Sequence, residues 1–359
     1  MDPVGMTTIR IGVIGTGIMG ADHVETISKS VSRAEVRAVA DLDVRRAEAV
    51  AARVPGAKAL PSAEALIEST EVDAVIIASS NPTHAPYALA SIGAGKPVLC
   101  EKPLAQTAAE CEQILRGEEA AGKRLVQVGF MRRYDPGYAE LRARVASGEI
   151  GAPLLAHCVH RNVSIPPVWT SEDIVFTSAV HEIDVMPWVF GREVVSVNWL
   201  SPIPAAPGVR RDPQVAILEL EGGALIFVEL FMAARYGYEI RCEIVGEKGT
   251  IELAPVARTV ARSDLRVNLD LSADWRPRFA EAYRRELQTW VNAICAWRSG
   301  GLKGIASPVH GPDAWDGYRA AVIAEALVAS MSSGGPARVK SLSIPEFYQQ
   351  RRTKLTESR

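Results

Sequence analysis

The chain has 359 residues, of which 48% are hydrophobic and 23% charged, and its formal net charge at pH 7 is −2. This length is enough for about two domains, and the balanced charge argues against nucleic acid or an anionic membrane surface as a partner. Because no apolar run approaches the roughly 20 residues of a membrane-spanning helix and the first residues lack the pattern of a signal peptide, we expect a cytoplasmic protein.

The first predicted strand leads into a glycine-rich turn. Residues 9–14 are apolar on both faces, which is typical of a central strand of a parallel sheet. Glycines follow at positions 15, 17 and 20, and helical spacing begins at 18. A second strand at 35–40 ends on an aspartate at the spacing expected for a carboxylate that binds the adenosine ribose of a dinucleotide. The predicted cofactor-binding residues of this region are Gly15, Thr16, Gly17, Ile18, Met19, Gly20 and Asp41.

The region up to residue 129 alternates predicted strands with predicted helices. This alternation indicates a parallel sheet with helices on both faces, and ligands bind such sheets beyond the carboxyl ends of the strands. We therefore expect the segments 79–84, 101–103 and 130 onward at that edge. The strands are predicted at 9–14, 35–40, 73–78, 97–100 and 125–129, and the helices at 18–30, 43–53, 62–68, 84–93 and 107–121.

Beyond residue 130 strand-like runs dominate and predict a largely antiparallel sheet with one covered face. The strands are predicted at 154–160, 194–200, 214–220, 224–231, 239–245 and 249–253. A helix at 136–147 precedes them, and helices at about 178–190, 277–298 and 312–332 would cover the sheet. The predicted organisation is an α/β Rossmann domain over 1–129, an α+β substrate-binding and oligomerisation domain over 130–335 with a large, mainly antiparallel sheet, and a C-terminal tail over 336–359.

Three motifs beyond the glycine turn point to one known family. Glu101-Lys102-Pro103 directly follows a predicted strand, His181-Glu182-Ile183-Asp184-Val185 lies on a predicted helix, and the run 246–251 reads Gly-Glu-Lys-Gly-Thr-Ile. Together with the glycine turn they resemble the Gfo/Idh/MocA oxidoreductases, and within that family the inositol 2-dehydrogenases, over about residues 9–335. The resemblance implies an NAD-dependent dehydrogenase that oxidises a ring hydroxyl of a cyclic polyol to a ketone, or catalyses the reverse reaction.

Lys102 and His181 are the predicted catalytic residues. An ammonium group at the strand end would polarise a substrate oxygen and favour the developing alkoxide, which is the role that the resemblance implies for this lysine. A histidine titrates near neutrality and suits a base that takes the hydroxyl proton, again in line with the resemblance. The alternatives are a surface lysine and a packing histidine.

Thr177 departs from the family pattern. Inositol dehydrogenases that resemble this chain carry an aspartate four residues before the histidine, which is one helical turn away. A threonine can hydrogen-bond but carries no charge, and it is also a good helix N-cap. Pro187 should kink or end the same helix nearby. This departure leaves open whether myo-inositol itself is the substrate.

Further residues are predicted around the cofactor and the substrate. His160 and Asn162 would share one face at a strand end, and Tyr236 and Tyr238 would do the same. Asp184 would orient His181 or pair with a neighbouring element, whereas Glu182 should point elsewhere and His23 should pack. The cofactor set is completed by Ser79, Asn81, His84 and Glu101, and the substrate set is His160, Asn162, Thr177, Asp184, Tyr236, Tyr238 and Tyr283, with core packing as the alternative for the three tyrosines.

Other expectations concern thiols, metals and partners. The five cysteines form no C-x-x-C pair, which favours reduced thiols. His157 and His160 would point to opposite faces of a strand, so we expect no metal site. The expected cofactor is NAD, with NADP less favoured, and the expected partner is a small polyol or sugar. An exposed sheet face predicts a homo-oligomer, either a dimer or a tetramer.

Two alternative functions remain open from the sequence. One is a pyranose or aminocyclitol dehydrogenase that uses the same residues. The other is a non-catalytic dinucleotide-binding sensor, which the threonine at position 177 allows. The presence of both Lys102 and His181 favours an enzyme.

Overall fold

The computed structural model describes residues 8–202, 210–254, 259–300, 307–340 and 343–349. The chain divides into two compact units. The first consists of the described parts of 1–130, 283–321 and 342–359, and the second of the described parts of 131–282 and 322–341. Among the described residues, no helix combines the length and the apolar composition needed to cross a membrane.

The first unit contains a parallel six-stranded sheet. Its strands are β1 (Ile9–Ile14), β2 (Ala34–Ala40), β3 (Lys58–Ala59), β4 (Ala74–Ile77), β5 (Val98–Glu101) and β6 (Val126–Gly129), in the order β3-β2-β1-β4-β5-β6. The helices between them are α1 (Ile18–Ser30), α2 (Val44–Ala51), α3 (Ala63–Glu68), α4 (His84–Gly93) and α5 (Ala108–Ala121). Every residue of β4, β5 and β6 is buried, which is typical of a sheet covered on both faces. The predicted Rossmann architecture is confirmed, although β3 is too short to show a sequence pattern.

The second unit is built on a mixed seven-stranded sheet. Its strands are β7 (Pro153–Arg161), β8 (Val194–Leu200), β9 (Gln214–Leu220), β10 (Leu225–Phe231), β11 (Glu239–Gly246), β12 (Gly249–Glu252) and β15 (Ala337–Arg338), in the order β12-β11-β7-β10-β9-β8-β15. Only the β7–β10 neighbours in this sheet run parallel, so the prediction of a mainly antiparallel sheet is confirmed. The sequence did not predict β15 or the separate hairpin of β13 (Val260–Ser263) and β14 (Arg266–Leu269).

Helices complete both units. Within the second unit, α6 (Pro136–Ser147), α7 (Ser171–Ile174) and α8 (Val180–Phe190) precede β8. Two longer helices follow, α9 (Trp275–Arg298) and α10 (Ala314–Ser333). The sequence led us to expect α9 over the second sheet, but its residues from 283 onward belong to the first unit, where Leu287, Trp290 and Ile294 are fully buried in the same hydrophobic core as β1 and β2.

Candidate active site

The glycine turn of the first unit has the geometry that a dinucleotide requires. Gly15 has a φ of +88°, and a Cβ at this position would lie 2.5 Å from the carbonyl oxygen of Ala78. A Cβ at Gly20 would lie 1.8 Å from the carbonyl oxygen of Gly15, so α1 packs against the turn only because that position is a glycine. By contrast, among the described residues outside the adjoining backbone, no atom lies within 4 Å of a Cβ built at Gly17. The turn therefore leaves its backbone open at the N-terminus of a helix, where a pyrophosphate binds.

Asp41 is fixed against this turn. Its Oδ2 accepts hydrogen bonds from the Thr16 backbone nitrogen at 2.7 Å and from Thr16 Oγ1 at 2.9 Å, and its Oδ1 accepts one from the Asp43 nitrogen at 2.9 Å. Burial alone would raise the pKa of Asp41, but these hydrogen bonds and the charge of Arg46 hold it below its ordinary value. An ionised carboxylate held at the end of β2 fits the ribose hydroxyls of NAD.

Lys102 follows β5 next to a buried pair formed by a carboxylate and an imidazole. Glu101 Oε1 lies 2.7 Å from Nε2 of His23 on α1, and Glu101 Oε2 accepts a hydrogen bond from the Lys102 backbone nitrogen at 3.3 Å. Burial would raise the pKa of Glu101, but the hydrogen bond and charge of His23 and the charge of Lys102 hold it below its ordinary value. Both carboxylate oxygens of Glu101 are thus engaged inside the protein. We therefore assign Glu101 to the support of the Lys102 backbone, and its contact with the cofactor stays a prediction.

His84 connects two loops at the carboxyl end of the first sheet. Its Nδ1 lies 2.7 Å from the Pro103 carbonyl oxygen and its Nε2 lies 3.1 Å from the Ser79 carbonyl oxygen. Burial lowers the pKa of His84, against the raising effect of these two hydrogen bonds. Ser79 Oγ lies 2.6 Å from Thr83 Oγ1 in the short 3₁₀-helix Asn81–Thr83. Contacts of Ser79, Asn81 and His84 with the cofactor stay a prediction.

In the second unit, α8 begins after an irregular turn. Residues Val175–Ala179 form a π-helical turn between α7 and α8, and such turns are frequent at functional sites. Thr177 lies in this turn, and its hydroxyl donates a hydrogen bond to the Asp173 carbonyl oxygen. Thr177 is therefore not a helix N-cap. The cap is Thr170, which forms a capping box with Asp173 at the start of α7 because a free Ser or Thr oxygen there accepts from the first turn.

A buried polar cluster lies beside His181. Its ring centroid lies 6.1 Å from that of His160 at the end of β7. Glu182 accepts a hydrogen bond from Arg132 Nη1 through Oε1, and its Oε2 lies 3.2 Å from His160 Nδ1. Burial would raise the pKa of Glu182, but the charge of Arg132 and the hydrogen bonds from His160 and Arg132 lower it to about 2. Tyr238 is buried edge-on to His160, with 6.0 Å between ring centroids, and burial raises its pKa to about 12.

Asp184 pairs with a neighbouring element, which is one of the two roles predicted for it. Its two carboxylate oxygens accept hydrogen bonds from Nε and Nη2 of Arg133, the Nε bond being 2.9 Å long. This pairing holds the carboxylate of Asp184, and orientation of His181 by Asp184 stays a prediction. Pro187 lies inside α8, which ends three residues later, at Phe190, with Gly191 in the left-handed conformation that favours glycine.

The predicted shared face of Tyr236 and Tyr238 is wrong. Tyr236 lies in the turn before β11, where it is 50% exposed and accepts a hydrogen bond from Arg161 Nη1 at 2.7 Å. Because Tyr236 is outside the strand, the two-residue alternation does not apply to it. Asn162 lies just beyond β7, 3.4 Å from Met232 Sδ through its Nδ2. Tyr283 belongs to the first unit and lies edge-on to His23.

Sequence reasoning missed three residues: His23, which pairs with Glu101 in the first unit, and Arg132 and Glu182 of the polar cluster in the second unit. His23 and Glu182 lie on helices whose partners come from distant parts of the chain, so spacing alone could not identify them. Arg132 had a usable signal, because it follows β6 at the edge where polar residues were expected.

Known proteins match both units. Residues 9–130 match the family model of an oxidoreductase family with an NAD-binding Rossmann fold, and residues 138–252 match a GFO/IDH/MocA C-terminal domain. Inositol 2-dehydrogenase 3 of Saccharopolyspora erythraea is 45% identical over 95% of this chain and 98% of its own, and an inositol 2-dehydrogenase of Azotobacter vinelandii is 42% identical over 95% and 99%.

A solved structure agrees with these sequence matches. The crystal structure of myo-inositol dehydrogenase from Lactobacillus casei in complex with NAD(H) and myo-inositol has a TM-score of 0.88 and 32% identity, covering 95% of this chain and 100% of that one. The cofactor of this chain is accordingly NAD, which the open glycine turn and Asp41 fit. The chain belongs to the Gfo/Idh/MocA family of oxidoreductases.

Proposed function

We propose that this protein oxidises one ring hydroxyl of a cyclic polyol of the inositol type to a ketone with NAD. The observation that carries the proposal is the buried cluster of the second unit. It brings the imidazole of His160 together with a carboxylate and a guanidinium, and the ring centroid of His160 lies 6.1 Å from that of His181. The relatives of this domain are named inositol dehydrogenases. These side chains supply hydrogen-bond donors and acceptors next to His181, so the cluster is well suited to a hydroxyl-rich ligand.

The chemistry divides between the two predicted catalytic residues. When bound, the nicotinamide ring accepts a hydride from the carbon that is oxidised. Lys102 polarises the oxygen on that carbon and favours the alkoxide character that develops there. His181 takes the hydroxyl proton as a general base. Glu101 and His23 hold the backbone that carries Lys102.

One observation favours a second substrate class as the alternative. The hydroxyl of Thr177 is bonded back to its own helix, where the resembling inositol dehydrogenases carry a carboxylate. A pyranose or an aminocyclitol is therefore the alternative substrate for the same residues.

A substrate screen tests the proposal. The purified protein is incubated with a panel of cyclitols, aminocyclitols and pyranoses and with NAD or NADP, and nicotinamide absorbance is followed. We expect the highest kcat/KM with an inositol and NAD. A higher kcat/KM with a pyranose would select the alternative, and NAD binding without turnover of any compound would identify a sensor.

A further inference from the structure

Three ionisable side chains meet in the interior of the second unit. Arg132, His160 and Glu182 are each at most 3% exposed. His160 Nδ1 lies 3.2 Å from Glu182 Oε2 and 3.3 Å from Arg132 Nη2. An ionised carboxylate only accepts hydrogen bonds, and a guanidinium only donates them. The single in-plane position of Nδ1 can therefore serve one of these neighbours, and this choice sets the tautomer of His160.

The hydrogen-bond partners of the cluster favour the carboxylate. Arg132 already donates to Glu182 Oε1 and, at 3.4 Å, to the Tyr138 hydroxyl. Its guanidinium is further held over the rings of Tyr138 and Phe279, at 5.8 and 5.4 Å from their centroids. Within the described part of the chain, His160 is the hydrogen-bond partner of Glu182 Oε2. Without a hydrogen on Nδ1, a buried carboxylate oxygen would lose that bond, which is the costlier arrangement.

We propose that Glu182, held in place by Arg132, is a positioning residue that fixes His160 as the Nδ1–H tautomer, so that Nε2 of His160 accepts a hydrogen bond from a substrate hydroxyl. The inference rests on the proposed function and adds a specificity rule to it. The two imidazole centroids lie 6.1 Å apart. His181 takes the proton of one hydroxyl, and His160 accepts a hydrogen bond from a neighbouring hydroxyl. The substrate must then carry a hydroxyl donor next to the carbon that is oxidised.

Replacing Glu182 by glutamine should reverse the tautomer. Arg132 can only donate, so the amide oxygen of Gln must face Arg132. The amide NH₂ then faces His160 Nδ1 and donates to it, which moves the ring hydrogen to Nε2. A donor would replace the acceptor that the substrate hydroxyl needs, so substrate binding should weaken more than the chemical step.

The tautomer is measured directly by long-range ¹H–¹⁵N correlation of the imidazole nitrogens, with the signals of His160 identified by their loss in His160→Gln. We expect an Nδ1–H ring in the wild type and an Nε2–H ring in Glu182→Gln. In kinetics we expect Glu182→Gln to raise KM for the best polyol about tenfold, the scale of one lost hydrogen bond, with a smaller change in kcat. Glu172→Gln, an exposed charge-matched control on α7, should change neither tautomer nor kinetics.

The outcomes separate this inference from the proposed function. An Nε2–H ring in the wild type overturns the inference, and so does an imidazolium with hydrogens on both nitrogens. An unchanged tautomer in Glu182→Gln overturns it as well. If the variant fails to fold because Arg132 loses its counter-ion, the wild-type spectrum alone decides. If the wild type oxidises no polyol, the proposed function fails, while the spectra still decide whether Glu182 sets the tautomer.

Discussion

Nε2 of His23 lies 2.7 Å from Oε1 of Glu101 in the interior of the first unit. The partners are separated by 78 positions in the chain, on α1 and at the end of β5. Gly129 of β6 allows the pair to fit, because a Cβ there would lie 3.1 Å from the carboxyl carbon of Glu101. The hydrogen bond with His23 and the close approach of Gly129 together fix Glu101, the residue before Lys102.

Removal of His23 should leave a buried carboxylate without its partner. We expect His23→Leu to lower the free energy of unfolding by about 3 kcal/mol at pH 7, the scale for breaking a buried pair, as measured by urea denaturation. Glu101 has a lowered pKa in the folded protein, so its contribution in the wild type is present above its unfolded pKa and is lost as the pH falls through the folded one. The double variant His23→Leu/Glu101→Gln should regain part of the loss. Equal stability of His23→Leu and wild type would show that the pair contributes nothing.

Lys102 should matter for turnover and little for cofactor affinity. If its ammonium stabilises the developing alkoxide, Lys102→Met should lower kcat by about two to four orders of magnitude, a range that includes the loss of one electrostatic donor. The dissociation constant of NAD, measured by calorimetry, should stay nearly unchanged because the phosphates bind elsewhere. Lys123→Met, at an exposed position after α5, is the matched control. Near-normal turnover of Lys102→Met would show that Lys102 is a surface lysine without a catalytic role.

Asp41 should set the preference for NAD over NADP. Its carboxylate would accept the ribose hydroxyls and repel a 2′-phosphate. Arg46 lies 3.6 Å from Oδ1 and reduces that repulsion. We expect Asp41→Ala to narrow the ratio of kcat/KM for the two cofactors by about tenfold or more, the scale of a hydrogen bond to a charged group, and to leave activity measurable. The prediction fails if the wild type already prefers NADP.

Glu118 should make stability depend on pH in the opposite direction from Glu101. Burial raises its pKa to about 7, although hydrogen bonds from Tyr348 and the nitrogens of Val126 and Leu125 lower it. Because the pKa of Glu118 is raised in the folded protein, its contribution to stability is complete below the unfolded pKa, near 4.3. That contribution is lost as the pH rises through about 7. Glu118→Gln keeps an acceptor for both nitrogens and a donor for Tyr348. The Tm of the variant relative to that of the wild type should therefore rise between about pH 4 and 8. A difference in Tm that is the same at all pH values would refute this prediction.

The sequence predicted the elements well because each has its own periodicity and end signals. The strand at 9–14, the glycine turn and the helix at 18–30 are all local patterns, and the structure reproduces their bounds. The partners of individual side chains could not be predicted in this way. The spacing on α8 predicted that Glu182 points away from His181. It contained no information about Arg132, 50 positions earlier, which donates a hydrogen bond to Glu182.

The turn before α8 shows a second limit of sequence reasoning. A regular helix from 178 would have placed residue 177 as its cap, but the π-helical turn at Val175–Ala179 joins α7 to α8 without a break. A single wide turn changes no residue type and therefore leaves no periodic signal.

The last prediction concerns the acidic limb of the pH profile. Thr177 carries no charge, Asp184 is paired with Arg133, and the carboxylate of Asp173 accepts a hydrogen bond from Thr170. A carboxylate introduced at position 177, one turn before His181, would favour the protonated imidazole. The wild-type base should thus be neutral, and competent, at a lower pH than in Thr177→Asp. We expect Thr177→Asp to move the acidic limb of kcat upward and to improve activity on inositol-like polyols.

Two further variants decide what such a shift means. Thr177→Asn has nearly the same shape as the aspartate variant without its charge, so it should leave the acidic limb in place. His181→Ala should lower kcat by about two to four orders of magnitude, as expected for loss of a general base. The new carboxyl is itself opposed by desolvation, and if it stays protonated the aspartate and asparagine variants will have the same pH profile. That result would remove the proposed coupling between positions 177 and 181, and full activity of His181→Ala would remove the assignment of the base.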